Sequence, residues 1–289
     1  MWGNRIALLS FDYAKGINMP IRDFSSLNKY GHREYKFVQS GSFGKVNAET
    51  MGESFRPEFV TSGVCLGVAL TWVNERLKTS NGLFRPNGPL RSTSTRQFST
   101  PLNPFARLTP GLSPPKGSLM ARFMDKGKSH TRNAQAMLDG AWVQSDYAST
   151  RDTGMAADNL GLIASTHQAP APKIMKGAGN LPERVEDLTI SEAAHGLPAG
   201  SAMTVELEQP LKPGQEKKGG GHMVAFYRSH GGTLYFFDPN AGVYQINGES
   251  NVLGFVQAWL NVYVENDSIR WKTHKDDWCR VFDRTRNQG

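Results

Sequence analysis

His222-Met223-Val224-Ala225-Phe226-Tyr227-Arg228, Ser229-His230-Gly231-Gly232 and Thr233-Leu234-Tyr235-Phe236-Phe237-Asp238-Pro239-Asn240 run on in the C-terminal third of the chain and read as a β-hairpin. The first run is rich in Val, Phe and Tyr, as strands are. The Gly pair supplies the positive φ of a tight turn. The second run is apolar until Asp238, where Pro239 denies the next ladder donor and ends the strand. A His therefore opens the first strand and an Asp closes the second. Antiparallel pairing lays those two ends together, so sixteen residues of chain (238 − 222) return a carboxylate to an imidazole. That is how an Asp fixes a His tautomer and supports the imidazolium.

A nucleophile for such a pair lies far upstream. Leu66, Ala69, Leu70, Val73 and Leu77 follow the i, i+3, i+4, i+7 rule, which predicts an amphipathic helix over Leu66–Lys78. Thr61 and Ser62 are cap-type residues before it, and Arg76 and Lys78 suit its last turn. Cys65 falls in the first turn, where the positive end of the helix favours a thiolate. Cys, then a strand His, then a strand-end Asp is the papain-like order of a cysteine hydrolase. The Cys65 backbone N–H would be one half of an oxyanion hole. No Asn or Gln stands among Pro57, Glu58, Phe59, Val60 and Thr61 to supply the other half.

The rest of the chain frames these two pieces. Residues 1–55 show no sustained period and read as a leader or appendage, partly disordered. Residues 79–125 carry Pro at 86, 89, 101, 104, 110, 114 and 115 and read as a Pro/Ser/Arg-rich insertion, with a helical turn near Ser118–Met124. A helix broken at Gly140 is expected over Asn133–Tyr147, a short element near Leu160–Ala164, and a short helix over Val185–Gly196. Strands are expected at Gly200–Glu208, Val243–Ile246 and Trp278–Phe282, the last closing the sheet, and a second amphipathic helix at Asn251–Val264. The fold class is α+β: a helix carrying Cys65 packed on an antiparallel sheet carrying His222 and Asp238, with residues 56–289 as the catalytic domain.

Composition limits the function classes. Two cysteines in 289 residues make no disulfide scaffold, and no CxxC or Cys/His cluster suggests zinc. Cys65 and Cys279 could pair but need not, and Cys279, between Trp278 and Arg280, reads as structural. No run of eighteen apolar residues exists, and the first residues do not predict a Sec signal peptide or a myristoylated residue 2. The net charge of +7 (33 − 26) suits solubility first and a peripheral contact with anionic membrane second. No stretch interleaves basic and aromatic residues as a nucleic-acid platform does. His230, at the hairpin tip, reads as solvated; Asn240 as a turn former; Trp72 and Trp259 as core.

Gly63-Val64-Cys65-Leu66-Gly67, Gly221-His222-Met223-Val224-Ala225 and Phe237-Asp238-Pro239-Asn240-Ala241-Gly242 together resemble the YopT/AvrPphB-type cysteine proteases. The resemblance covers roughly 59–76 and 200–265. It implies a papain-like fold with Cys65 as nucleophile, His222 as general base and Asp238 as orienter. It further implies a type III effector secreted into a host cell, with a host protein as substrate; the family's targets include prenylated small GTPases and plant kinases. The gap of 157 residues from Cys65 to His222 (222 − 65) is long for the family, and the 79–125 insertion accounts for it. No cofactor or metal is implied, and a monomer is expected. A transferase that passes the thioester to an amine, a non-enzymatic binding protein and nucleic-acid binding through 79–125 are the rival readings.

Overall fold

The computed structural model describes residues 22–37, 64–78, 140, 141, 143, 144, 147, 152–158, 160–166, 185–208, 221–267, 271–273 and 278–283. Within them one antiparallel sheet is built from β1 (Gly31–Tyr35), β2 (Ile163–Thr166), β3 (Ala202–Glu208), β4 (Gly221–Arg228), β5 (Leu234–Asp238), β6 (Gly242–Ile246), β7 (Lys272–Thr273) and β8 (Cys279–Asp283). The order is β1-β6-β5-β4-β3-β8-β2, with β7 sharing the β8 side of β3. Helices cover both faces: α1 (Cys65–Lys78) with α2 (Thr153–Asp158) on one, α3 (Val185–His195) with α4 (Val252–Asp267) on the other. This is the α+β class that the sequence predicts.

Burial on both faces explains the strand sequences. In β4, Met223 and Ala225 join the α1 side while Val224 and Phe226 join the α4 side. Such strands read as continuous apolar runs instead of an alternation. Of the two glycines in the hairpin turn only Gly232 has a positive φ, +85°, where the sequence reading gave that role to the pair, and Gly232 N–H donates to the Ser229 carbonyl at 2.9 Å. At the next turn Gly242 sits at φ +112°. A Cβ there would also strike the Tyr35 carbonyl, because the end of β1 lies against it.

Four expectations need correction or completion. First, α1 is not amphipathic: Val68, Thr71, Trp72, Asn74 and Arg76 are buried as well as its apolar stripe. A helix buried all round is a core element, and here the sheet takes one side and the helical residues around Gly140 and Gln144 another. Second, Gly140 is itself helical, and the residues before it, where the expected break would show, lie outside the described ones. It lets that helix approach α1, since a Cβ on Gly67 would run into the Gly140 carbonyl and a Cβ on Gly140 into Val68. Third, part of the expected leader belongs to the folded body. Residues 22–37 hold a 3-10 turn (Ser25–Lys29) and edge strand β1, with Phe24, Leu27 and Phe37 buried. Fourth, β8 lies between β3 and β2, so the last strand of the chain is internal. The predicted caps Thr61 and Ser62, the 79–125 insertion and the 209–220 loop lie outside the described residues.

Arg228 binds separate elements together. Its guanidinium donates to the Ala194 and His195 carbonyls at the end of α3, at 3.0 and 3.2 Å, to Gly232 O at 3.2 Å and to Glu249 at 2.6 Å. One buried cation thus satisfies the C-terminal carbonyls of α3 and fixes the hairpin tip.

The contact between Gly67 and Gly140 is backbone against backbone, so no rotamer change can relieve it. Gly67→Ala is expected to cost about 1–3 kcal/mol, the range for overpacking, as a lower denaturant midpoint; an unchanged midpoint would mean that the two helices do not meet at these glycines.

Candidate active site

The site is assembled at the end of the sheet where β4 begins and β5 finishes. Val64 O accepts the Val68 N–H at 2.9 Å, which makes Cys65 the first residue of α1. Its thiol faces the Gly221 carbonyl at 3.8 Å and lies close enough to the His222 ring to help raise the imidazole. Strand register then explains the His–Asp contact. Ala225 pairs with Phe237, so Asp238 falls opposite Val224, and His222 is its diagonal neighbour on the same face. His222 Nε2 donates to Asp238 Oδ1 at 3.0 Å. With Nε2 engaged there, Nδ1 is the ring nitrogen left for Cys65. The three residues singled out in the sequence are therefore brought together. Exposure falls from 8% at Cys65 to 4% at His222 and 0% at Asp238, so the series runs from the surface inward.

Asp238 is buried yet fully provided with donors. Oδ1 also accepts the Asn240 N–H at 2.7 Å. Oδ2 accepts Trp259 Nε1–H at 2.8 Å and the Tyr263 hydroxyl at 2.7 Å. Four donors match the capacity of one carboxylate. Trp259 and Tyr263 stand four apart on α4, so one helix face presents both polar tips. Tyr263 packs against His222 at 5.2 Å between ring centroids, and Trp271 meets the imidazole edge-on at 6.1 Å. These rings keep water from the His–Asp pair.

The electrostatics follow from this packing. Burial alone would lower the imidazole, but the adjacent Asp238 carboxylate outweighs it and, with Cys65, raises His222 from 6.5 to about 9. Burial would raise the Asp238 carboxyl; the charge and hydrogen bond of His222, with the donors from Asn240 and Tyr263, hold it below its ordinary 3.8. Burial and the neighbouring carboxylate push Tyr263 well above 10, so its hydroxyl keeps its proton. The resting pair is imidazolium and carboxylate.

Sequence reasoning missed three contributors. Asn240 does more than form a turn: its backbone holds Asp238 and its side-chain amide donates to the Tyr263 hydroxyl at 3.1 Å. Trp259 is core, as expected, and also a donor to Asp238. Tyr263 touches both His222 and Asp238. The signal was the pairing of Trp259 with Tyr263 at i, i+4 on an apolar face, since both carry a polar tip that needs a partner when buried. Gln144 is a further amide that the sequence did not place: its Oε1 accepts the Gly67 N–H in the first turn of α1 at 3.3 Å. Cys65 and Cys279 are both free thiols. Cys279 packs on Met203 at 3.8 Å, and burial pushes its thiol up to about 12, which suits a structural residue. Among the described residues no cluster of His, Cys, Asp or Glu could hold a metal ion, and no helix is long and apolar enough to cross a membrane.

No protein-family model matches the chain, and no curated protein matches it. Among solved structures the chain is similar to the Pseudomonas avirulence protein AvrPphB, at 12% identity over 82% of this chain and 98% of that chain, with a TM-score of 0.38. A likeness at that level assigns neither a family nor an activity.

The pair gives stability a pH signature. A raised His222 contributes fully below about 6.5 and loses that contribution as pH climbs toward about 9. A lowered Asp238 contributes above 3.8 and loses it as pH falls through its folded value. Stability from this pair is therefore expected to peak between about pH 4 and 6.5 and to fall by a few kcal/mol toward pH 9. Urea unfolding of wild type and Asp238→Asn at pH 6 and 9.5 tests it: the decline should flatten in the variant, and an equally steep decline in both would place its cause outside this pair.

Proposed function

We propose that the chain is a cysteine hydrolase, a peptidase that cleaves a protein substrate through a Cys65–His222–Asp238 triad. The reading is supported by one observation above all: His222 is held between Cys65 on one side and a buried, fully hydrogen-bonded Asp238 on the other. A cysteine nucleophile needs this polarity of partners. The raised His222 supplies an imidazolium beside the sulfur, the form in which a Cys–His pair attacks.

In this reading the Cys65 sulfur, as thiolate, attacks the substrate carbonyl and forms the S–C bond. The developing oxyanion is met by the Cys65 N–H, one of the helix-start amides with no intrahelical acceptor. Collapse expels the amine, which takes the proton of His222, and leaves a thioester. Neutral His222 then draws a proton from water, the hydroxide adds to the thioester carbonyl, and Cys65 leaves as thiolate beside a renewed imidazolium. Asp238 stays ionised throughout and holds the ring. Membership of the YopT/AvrPphB-type proteases, delivery into a host cell and a host protein as substrate are part of the same proposal, supported by the three motifs around Cys65, His222 and Asp238.

The first test is the rate of Cys65 alkylation by iodoacetamide against pH. Rapid labelling at about pH 5–6 in wild type, slowed markedly in His222→Ala, is the expected result for a Cys–His ion pair. Labelling that rises only near pH 8.5, like an ordinary thiol, in both proteins would sink the triad and favour a binding protein.

The second test is the mass of the products from a peptide library. Cleavage, reduced about 10³-fold or more in Cys65→Ala, supports hydrolysis. A mass gain on an amine without cleavage would make the chain a transferase instead.

A further inference from the structure

We infer that Tyr263 is a fourth functional member of this site, a positioning residue whose hydroxyl fixes the His222 ring for work on Cys65. The inference rests on the triad reading above and goes beyond it, because three groups would suffice for the chemistry.

Proton counting carries it. The Tyr263 hydroxyl lies 2.8 Å from His222 Nε2, nearer than the Asp238 oxygen at 3.0 Å. It lies 2.7 Å from Asp238 Oδ2 and 3.1 Å from Asn240 Nδ2. A phenol has one proton to give. Asp238 is ionised and can only accept, so that proton goes to Oδ2. Asn240 Nδ2 can only donate, so it occupies a lone pair of the phenol oxygen. The contact with Nε2 must then run from the ring: Nε2–H donates and the phenol oxygen accepts. Every bond in the set agrees with a proton on Nε2, which leaves Nδ1 for Cys65. The Asp238 contact alone would allow the ring to swing about a single hydrogen bond; two acceptors for one N–H, on two different elements, define its plane.

The ring of Tyr263 is fixed as well. It is fully buried, with the Arg22 guanidinium 4.5 Å over its centroid, Trp271 edge-on at 5.5 Å and Trp259 at 6.0 Å. These contacts belong to the ring and not to the oxygen. Tyr263→Phe therefore keeps the packing and removes only the hydroxyl, which separates a positioning role from a structural one.

The experiment is the alkylation rate of Cys65 by iodoacetamide at pH 6–7 in wild type, Tyr263→Phe, His222→Ala and the double variant. Tyr263→Phe is expected to slow labelling about tenfold to a hundredfold, the usual effect of losing an orienting partner, and to add nothing in the His222→Ala background. A wild-type rate in folded Tyr263→Phe overturns the inference while leaving the triad intact. Wild-type labelling that does not depend on His222 defeats the triad reading itself, and this inference with it. Asn240→Ala removes only the amide that donates to the same oxygen and is expected to slow labelling by less. If Tyr263→Phe fails to fold, the imidazole nitrogen NMR spectrum of the wild type, taken above the His222 titration, decides: a neutral ring with its proton on Nδ1 instead of Nε2 overturns the inference.

Discussion

A charged carboxylate with no exposure to solvent governs the architecture around the site. Removing an ionised group from water costs several kcal/mol unless its lone pairs are matched. Asp238 is matched four times: by the β4 imidazole, by a turn amide two residues ahead of it and by two side chains of α4. The four donors come from three separate elements: β4, the turn after β5, and α4. The register of β4 on β5, the turn after β5 and the seating of α4 on the sheet are thus all coupled to one pair of oxygens. Loss of one donor leaves the others to hold a partly unsatisfied charge, which is why such networks respond as units.

The sheet carries the other half of the constraint. Because both of its faces are covered, helix α1 presses on one face while α4 presses on the other. Cys65 belongs to the α1 side; His222 and Asp238 share the strand parity of the α4 side. The thiol and the imidazole are therefore joined around the end of β4, at the Gly221 carbonyl, and not through the body of the sheet. A residue with a side chain at Gly221 would stand in that passage only loosely, since a Cβ there would meet the Leu207 carbonyl at an ordinary 3.6 Å. The tight spots lie elsewhere, at Gly67 and Gly242, where backbone meets backbone.

Much of this was legible in the residues. The hairpin declared itself by a β-rich run, a Gly-bearing turn and a Pro stop, and its two end residues were the ones that met. The apolar spacing of α1 and α4 placed both helices to within a few residues. What stayed hidden has physical causes. Gly31-His32-Arg33-Glu34-Tyr35 gives no apolar alternation because an edge strand with exposed side chains needs none; its place is set by backbone pairing with β6. The burial of Asn74 and Arg76 could not be read from a helical wheel, since it depends on what lies outside the helix. Tyr263 and Trp259 looked like core, and are core; only the three-dimensional placement of Asp238 turns their polar tips into site residues.

The wide separation of partners along the chain has a consequence in time. Cys65 precedes His222 by 157 residues (222 − 65), and Gly31 precedes its partner Ile246 by 215 (246 − 31). At synthesis rates of about 5–20 residues per second, the thiol leaves the ribosome roughly 8–30 s before its imidazole. In that interval helix α1 has no sheet to lie on and the sulfur has no neighbour to take or return a proton. Whatever chemistry this site performs is absent from the nascent chain and begins only when the final third has emerged and closed over the first.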